Sequence, residues 1–454
     1  MNTQSARATS SPIAFRQVTL ADRDIFERFV QSSECRNCDM SFANIFCWQD
    51  SYHSQIAVWN DFLLIRFTTD NGYTAYMQPV GNGNRAEVIE ALAADAASLA
   101  VPLRLFGLNS EWRDSLYTLF GQKVAISNLA ANADYIYRSS DLAELAGRKY
   151  QPKRNFINRF TSRYNYRFEP ITECNIDTCR VLNALWCSQK GCSCTDSEQR
   201  AVLTALDNFT RLPLEGWILS VEGQACAFAI GSAVNHDTFC IHIEKIDTSF
   251  DGAGAMINNL VAVELQHRFK YINREDDLGI EGLRRAKMSY YPEYLLSKHS
   301  ALILNQDEVQ MAELWQKVFG DDRKTIDDFF VRVYDPALCF THRANNRVVA
   351  MLHIVPLKEN GQLSAYIYAV ATAPQYRRQG IAHSLISRAI TTIQKAGIYS
   401  RILLVPADRD AERLYSKFDF VMTNELLDQS ESELDYDLGS GDKDADFVMV
   451  RKIY

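Results

Sequence analysis

Two arginines and a glycine lie between a predicted strand, residues 366–371, and an amphipathic helix that begins at Gly380. A helix start presents unpaired N–H groups and a partial positive charge, and a glycine there lets a ligand approach the backbone. Arg377 and Arg378 add positive charge beside it. These features are typical of a cradle for a pyrophosphate group. The alternative is an ordinary strand–loop–helix with surface arginines.

The spacing Arg377-x-x-Gly380-x-Ala382 resembles the acetyl-CoA signature of the GNAT acetyltransferases. The resemblance implies that the loop backbone holds the pyrophosphate of acetyl-CoA, and it implies no metal ion. The residues expected at the cofactor are Val370, Arg377, Arg378, Gln379, Gly380, Ile381 and Ala382.

Two residues of the same region are candidates for catalysis. Tyr415 lies in a predicted helix, 408–418, at the position of a tyrosine common in GNAT domains. The resemblance implies that it protonates or orients the departing CoA thiolate; the alternative is a core tyrosine. The strand before the loop has no carboxylate, so His353 on the preceding strand is the candidate base. Alternatively His353 is a packed histidine, and a water chain or an amine of low pKa replaces the base.

A similar strand–loop–helix pattern occurs earlier in the chain, at residues 248–254. Gly254 is the expected match of Gly380, but Asp251 falls where Arg377 stands. A carboxylate that faces a pyrophosphate costs electrostatic energy. This earlier copy is therefore expected to keep the fold without binding CoA.

Four segments of the first 300 residues resemble the C-terminal synthase region of phosphatidylglycerol lysyltransferases. These segments are Asp134-Tyr135-Ile136-Tyr137 and residues 147–158, 273–279 and 282–290. The likeness covers most of residues 14–300. It implies two GNAT-like units related to the Fem aminoacyl transferases, which would move an aminoacyl group from tRNA onto a lipid or another acceptor.

A basic stretch in this region offers a surface for an anionic partner. Residues 145–168 contain seven Arg or Lys and no acidic residue, and Pro152 predicts a helix start. Such a helix could contact the phosphates of an aminoacyl-tRNA or anionic lipid headgroups, or it is a solvated basic face. Lys287 either holds a phosphate or pairs with a neighbouring acid. The candidate phosphate contacts are Arg148, Lys149, Lys153, Arg154 and Lys287.

One order of elements occurs three times along the chain: a strand, a helix, hairpin strands, a helix and a strand. Apolar alternation predicts the strands, and the turn pairs Asn60-Asp61, Glu222-Gly223 and Asn360-Gly361 predict the hairpins. The expected fold class is α/β (α+β), with three GNAT-like units. These are an N-terminal tandem pair and a C-terminal GNAT acetyltransferase domain.

The expected bounds are 14–140 for the first GNAT-like unit, 141–300 for the second and 301–454 for the acetyltransferase domain. Two segments, 139–147 and 297–304, are candidate linkers. Neither contains a long run of Pro, Gly or Ser. We therefore expect the units to pack together rather than move freely.

Charge and composition narrow the class of protein. The 454 residues carry a net charge of −8, which the acidic segment 425–446 accounts for, and we expect this segment to be a solvated loop. The charge of the rest of the chain does not exclude an anionic partner.

No run approaches about 18 apolar residues, and no signal peptide is evident. The eleven cysteines, which include Cys35, Cys38, Cys192 and Cys194, indicate a reduced cytoplasmic protein with idle thiols rather than metal ligands.

These observations predict a cytoplasmic N-acetyltransferase that uses acetyl-CoA to acylate an amine of a small molecule or a peptide. One alternative is aminoacyl transfer from tRNA by the N-terminal tandem pair. Another alternative is a module that binds CoA without catalysis.

Overall fold

The computed structural model describes residues 13–191, 196–359, 361–429, 436–439 and 447–453. The predictions for Cys192, Cys194 and Asn360 lie outside these residues. Most of the predicted acidic loop, residues 430–435 and 440–446, lies outside them as well.

The strands occur along the whole described chain. In chain order they are β1 (Arg16–Gln17), β2 (Gln55–Trp59), β3 (Phe62–Thr68), β4 (Thr74–Met77), β5 (Val80–Gly81), β6 (Arg104–Leu108), β7 (Val124–Asn128), β8 (Asp134–Arg138), β9 (Tyr166–Pro170), β10 (Glu215–Val221), β11 (Gln224–Ala233), β12 (Thr238–Ile246), β13 (Tyr271–Asn273), β14 (Tyr294–Leu296), β15 (His299–Ile303), β16 (Cys339–Ala344), β17 (Arg347–Glu359), β18 (Gln362–Thr372), β19 (Arg401–Leu404), β20 (Val421–Leu426) and β21 (Phe447–Lys452).

Helices alternate with these strands. In chain order they are α1 (Arg23–Phe26), α2 (Phe42–Tyr52), α3 (Arg85–Ser98), α4 (Ser110–Phe120), α5 (Ser139–Glu144), α6 (Gln151–Arg163), α7 (Ile176–Lys190), α8 (Ser197–Asp207), α9 (Ala253–Leu265), α10 (Glu281–Met288), α11 (Gln306–Phe319), α12 (Arg323–Arg332), α13 (Ile381–Ala396) and α14 (Arg409–Ser416). Among these described helices, none has the length and apolar character needed to cross a membrane.

The chain divides into two compact units. The first, which we call the tandem unit, contains the described residues up to Ser115 together with Asn128–His299. The second, the C-terminal unit, contains Leu116–Ser127 and the described residues from Ser300 onward.

The tandem unit contains two mixed sheets. In the first sheet the order β1–β2–β3–β4–β6 is antiparallel until β6, which runs parallel to β4. The turn Asn60-Asp61 joins β2 to β3 as predicted, and Asn60 takes the left-handed conformation that asparagine tolerates. The second sheet has the order β14–β8–β13–β12–β11–β10–β9, in which β12 and β13 are parallel.

The C-terminal unit contains a sheet of order β16–β17–β18–β19–β21–β20. Its two parallel neighbours, β18 and β19, pair only at Ala365–Ile402 and Tyr366–Leu403. Beyond that point β18 continues to Thr372 while β19 ends at Leu404. The sheet therefore opens on one side of β18, next to the predicted cofactor loop.

The predicted α/β class is confirmed by these mixed sheets and their flanking helices. Strand β1 is only two residues long, Arg16–Gln17, and Leu20–Asp22 forms a helical turn that begins after Thr19. Helix α2 was not predicted. The domain bounds 14–140, 141–300 and 301–454 stay predictions.

Candidate functional site

The predicted cofactor loop leads into an open helix start. Helix α13 begins after Gly380, whose φ of 79° is the left-handed conformation that glycine adopts freely. A Cβ placed on Gly380 would meet no other atom within 4 Å. The first backbone bond of the helix is made by the N–H of Ser384, which donates to the carbonyl of Gly380 at 3.0 Å. The preceding N–H groups of the turn have no partner inside the helix.

The side chains around this helix start are exposed or half-buried. Arg377, Arg378 and Gln379 are exposed, and Arg377 donates to the carbonyl of Thr372 at 3.2 Å. Val370 is half-buried in β18, beyond the last residue pair with β19. Ile381 and Ala382 are half-buried in the first turn of α13. The structure thus places all seven predicted cofactor residues along the end of β18, the loop that follows it and the first turn of α13, where β18 and β19 no longer pair.

Tyr415 lies buried in α14 and belongs to the core that contains Leu385 of α13. Asp408 caps α14 by accepting a hydrogen bond from the N–H of Ala411 at 2.7 Å. Burial and, less strongly, Asp408 raise the pKa of Tyr415 above its ordinary value. The phenol therefore stays protonated at neutral pH, as a proton donor must.

His353 is buried in β17 among aromatic rings. Its ring centroid lies 6.0 Å from that of Trp315, 4.9 Å from that of Phe329 and 5.8 Å from that of Tyr334. Neither ring nitrogen has a hydrogen-bond partner among the described residues, and burial lowers the pKa of His353 to about 3. A neutral imidazole with so low a pKa is a weak base, so the geometry favours the packed-histidine alternative.

The earlier copy of the loop has a covered helix start. Helix α9 begins after Gly252, with φ 90°, so Gly252 and not Gly254 is the counterpart of Gly380; the predicted match was wrong by two residues. A Cβ on Gly252 would lie 2.6 Å from the carbonyl oxygen of Phe156 in α6. Helix α6 therefore occupies the space that is open at Gly380. Asp251 also pairs with Arg159 at 3.4 Å.

Helix α6 forms where the basic stretch predicted it, with Pro152 in its first turn. Besides Arg159, two of its basic side chains make contacts within the protein. The Nζ of Lys153 donates to the Oγ of Ser289 at 2.6 Å, and burial lowers its pKa to about 8. The guanidinium of Arg154 donates to the carbonyls of Leu145 and Gly147.

The remaining predicted phosphate contacts differ in exposure. Lys287 is buried, and its Nζ donates to the carbonyls of Arg274 and Asp276. Its ammonium group therefore points into the protein, which does not favour the predicted phosphate contact. Arg148 and Lys149 are exposed at the start of the basic stretch. These two residues stay predicted phosphate contacts.

A buried cluster of charges in the tandem unit was not predicted. We call Asp39, Asp134, Asp276 and Lys298 the buried charge centre. The Nζ of Lys298 lies 2.8 Å from Asp134, 3.0 Å from Asp39 and 3.5 Å from Asp276. Asp134 also accepts hydrogen bonds from the N–H of Cys38 at 3.0 Å and the amide of Asn273 at 2.8 Å.

In the buried charge centre, Asp134 and Lys298 favour their charged forms, whereas burial disfavours the charged form of Asp276. Burial alone would raise the pKa of Asp134, but Lys298 and the N–H donors lower it below its ordinary value. The carboxylates raise the pKa of Lys298 in turn, against the opposing effect of burial. Burial raises the pKa of Asp276 to about 6. The sequence offered two signals for this centre. Lys298 lies in the predicted linker 297–304, and Asp134 and Asp276 lie in segments that resemble the lysyltransferase region.

One further group next to the buried charge centre has donor atoms suited to a metal ion. The donor atoms of Cys240, His242 and Glu275 lie within 4.8 Å of one another.

The fold and the families that match this sequence define an acyltransferase built from GNAT-like units. Residues 31–302 match the family described as phosphatidylglycerol lysyltransferase, C-terminal, and residues 307–420 match the acetyltransferase (GNAT) family. The chain therefore belongs to the phosphatidylglycerol lysyltransferase C-terminal family, and it carries a C-terminal GNAT acetyltransferase domain. Both predicted resemblances are confirmed. Among curated proteins, none matches the sequence.

Several solved structures resemble about two thirds of this chain. A conserved protein of unknown function from Bacteroides thetaiotaomicron is 44% identical, with 64% of this chain and 99% of that chain covered and a TM-score of 0.62. The C-terminal domain assigned to a lysylphosphatidylglycerol synthetase of Agrobacterium fabrum is 12% identical over 64% and 92% of the two chains, with a TM-score of 0.47. L-PGS from Bacillus licheniformis is 14% identical over 61% and 95%, with a TM-score of 0.42.

Proposed function

We propose that the C-terminal unit is a cytoplasmic N-acetyltransferase that transfers the acetyl group of acetyl-CoA to an amine of a small molecule or peptide. The observation that carries this proposal is the open start of α13 at Gly380, where a Cβ would meet no atom within 4 Å. Unpaired N–H groups and two exposed arginines there suit a pyrophosphate. When bound, acetyl-CoA supplies the reactive thioester.

Within this proposal the chain positions the reactants and donates a proton. The backbone of residues 377–382 and the side chains of Arg377 and Arg378 hold the pyrophosphate. Tyr415, kept neutral by its raised pKa, donates its proton to the leaving thiolate. Because His353 has a pKa of about 3, we assign it no role as the base. Either water takes the proton of the amine, or the amine is already neutral and needs no base.

The first test is calorimetric titration of the full-length protein with acetyl-CoA. Gly380→Asp places a carboxylate at the open helix start and is expected to weaken the Kd at least about tenfold, or 1.4 kcal/mol. Gly397→Asp is the matched control, because Gly397 has the same left-handed backbone and open surroundings at the other end of α13. Equal affinities of both variants and the native protein for acetyl-CoA would contradict the proposal that the loop at Gly380 binds this cofactor.

Turnover then separates an enzyme from a CoA-binding module. Free thiol released from acetyl-CoA is measured across a panel of small-molecule and peptide amines. Tyr415→Phe is expected to lower this rate at least about tenfold while the Kd for acetyl-CoA stays unchanged. If acetyl-CoA binds but no amine of the panel causes release of free thiol, the alternative of a module that binds CoA without catalysis is favoured.

A second candidate function is aminoacyl transfer from tRNA by the tandem unit. The observation that favours it is the buried charge centre, which lies within the residues matched by the lysyltransferase family. Buried groups with shifted pKa values are concentrated at functional sites. Exposed basic residues of the 145–168 stretch supply the surface for tRNA phosphates.

Salt-dependent binding of an aminoacyl-tRNA tests this second function. Replacing the exposed Arg148 and Arg163 by Gln together is expected to reduce the slope of log K against log salt by about 1.4–1.8, or about 0.7–0.9 for each lost phosphate contact. The matched control replaces Arg378 and Arg413, exposed in the C-terminal unit, by Gln. If the slope is the same in both double variants, residues 145–168 are excluded as the surface that contacts tRNA phosphates.

A further inference from the structure

Three potential metal ligands converge beside the buried charge centre. Cys240 and His242 are two residues apart on β12, so their side chains share one face of the sheet. Glu275 follows β13, which pairs in parallel with β12. Its Oε1 lies 2.9 Å from the Nδ1 of His242 and 3.9 Å from the Sγ of Cys240. A sulfur, a nitrogen and an oxygen therefore point into one space.

The surroundings hold two of these side chains in place. The Nε2 of His242 lies 2.9 Å from the Oγ of Ser232, so the ring is fixed with Nδ1 toward Glu275. Glu275 has a φ of 58°, which is strained for a residue with a Cβ. Its backbone N–H donates to the Oδ1 of Asn273 at 2.7 Å, which helps to hold that conformation. Metal ligands are oriented by outer contacts of this kind.

Carboxylates are concentrated around these three side chains. Four are clustered here, those of Glu275, Asp276, Asp39 and Asp134. Lys298 opposes them, with its Nζ 2.8 Å from Asp134 and 3.0 Å from Asp39, and the Nζ of Lys287 donates to the carbonyl of Asp276. A divalent cation that replaces two protons leaves the net charge of this region unchanged, so the set of donor atoms, rather than the local charge, favours a metal ion.

We propose that Cys240, His242 and Glu275 bind one zinc ion. A mixed set of thiolate, imidazole and carboxylate suits Zn²⁺ rather than Mg²⁺ or Ca²⁺, which prefer oxygen ligands. Three protein ligands leave a fourth position open, as in catalytic zinc sites. Cys38 packs against Cys240 in a small buried cluster next to these ligands.

Binding exchanges protons for the metal. The S–H bond of Cys240 and the Nδ1–H bond of His242 break, both protons leave to solvent, and the freed electron pairs bind Zn²⁺. Glu275 binds through a carboxylate oxygen. The zinc site lies in the tandem unit and does not rest on acetyl transfer by the C-terminal unit.

The test measures zinc in the full-length protein under reducing conditions. After removal of metal with a chelator, the protein is titrated with Zn²⁺ alone and separately with Co²⁺, whose absorption reports thiolate ligation. About one ion per chain is expected, with a thiolate-to-cobalt band. Cys240→Ser is expected to abolish this band and, like Glu275→Gln, to weaken Zn²⁺ binding at least about tenfold.

A matched control separates the proposed ligand from cysteine loss in general. Cys226 is also fully buried in the same sheet, and its thiol donates to the carbonyl of Leu219. Cys226→Ser is expected to keep the zinc affinity and the cobalt band. If Cys240→Ser does not fold, Glu275→Gln decides alone, because that half-buried side chain keeps its shape. Stripped native protein that binds Zn²⁺ no more tightly than Glu275→Gln would overturn the zinc site.

Discussion

Lys298 illustrates how single residues are fixed in this protein. It is nearly inaccessible to solvent, yet three carboxylates lie within 3.5 Å of its Nζ. A buried cation costs several kcal/mol of desolvation unless partners compensate it, and the partners depend on it in the same way. Asp134, with an N–H and an amide donor besides Lys298, is the best-compensated of these carboxylates.

Removing Lys298 should destabilise the tandem unit strongly. Lys298→Met leaves Asp134 charged and buried, and we expect a loss of about 3–5 kcal/mol. The free energy of opening is measured by hydrogen exchange of the backbone amides of β8. Lys270→Met, which removes an exposed lysine of the same unit, is the control and should change this value by less than about 0.5 kcal/mol. Equal effects of both substitutions would contradict the ionic role of Lys298.

At the scale of elements, two helices begin in the same way and differ in what covers them. Both α9 and α13 follow a glycine in the left-handed conformation. The start of α9 is in contact with α6, whereas the space at the start of α13 is open. A helix N-terminus binds an anion only where a ligand can reach its N–H groups. With Gly252 matched to Gly380, Ser249 and not Asp251 takes the place of Arg377, and coverage by α6 distinguishes the two copies.

Hydrogen exchange should report this difference directly. Acetyl-CoA is expected to slow exchange at residues 377–384 and to leave residues 250–256 unchanged, because only the first segment presents free N–H groups to the ligand. The measurement is mass spectrometry of peptides with and without saturating acetyl-CoA. The two segments serve as controls for each other within one sample. Slowing of similar size in both would contradict the covered start of α9.

For the whole molecule, each compact unit has cores of its own. In the tandem unit, one core contains Phe239 and Ile257 of the second sheet and its helix α9. In the C-terminal unit, another contains Ile386 of α13 together with Tyr415. The chain thus combines a lysyltransferase-family region with a GNAT domain, and each proposed activity is assigned to one of these units.

Much of the fold could be predicted from the sequence, because its signals are local. The turn Asn60-Asp61, the strands on either side of it and the start of α6, with Pro152 in its first turn, occur where their residues indicated them. Each depends on backbone preferences within a few positions. The cofactor loop before α13 is local in the same sense. Helix α2 was missed because its apolar residues give no clear helical period.

The buried charge centre and the zinc ligands were decided only by tertiary structure. Cys38 and Lys298 are separated by 260 positions, and Glu275 lies 33 positions from His242. No short window of sequence contains these partners, so charge or spacing could not reveal them. Similarly, His353 reads as a candidate base until its aromatic neighbours show that it is buried. The sequence by itself determined most of the elements and the position of the cofactor loop, since local preferences set them, while folding determined which distant charges meet and which helix start is covered.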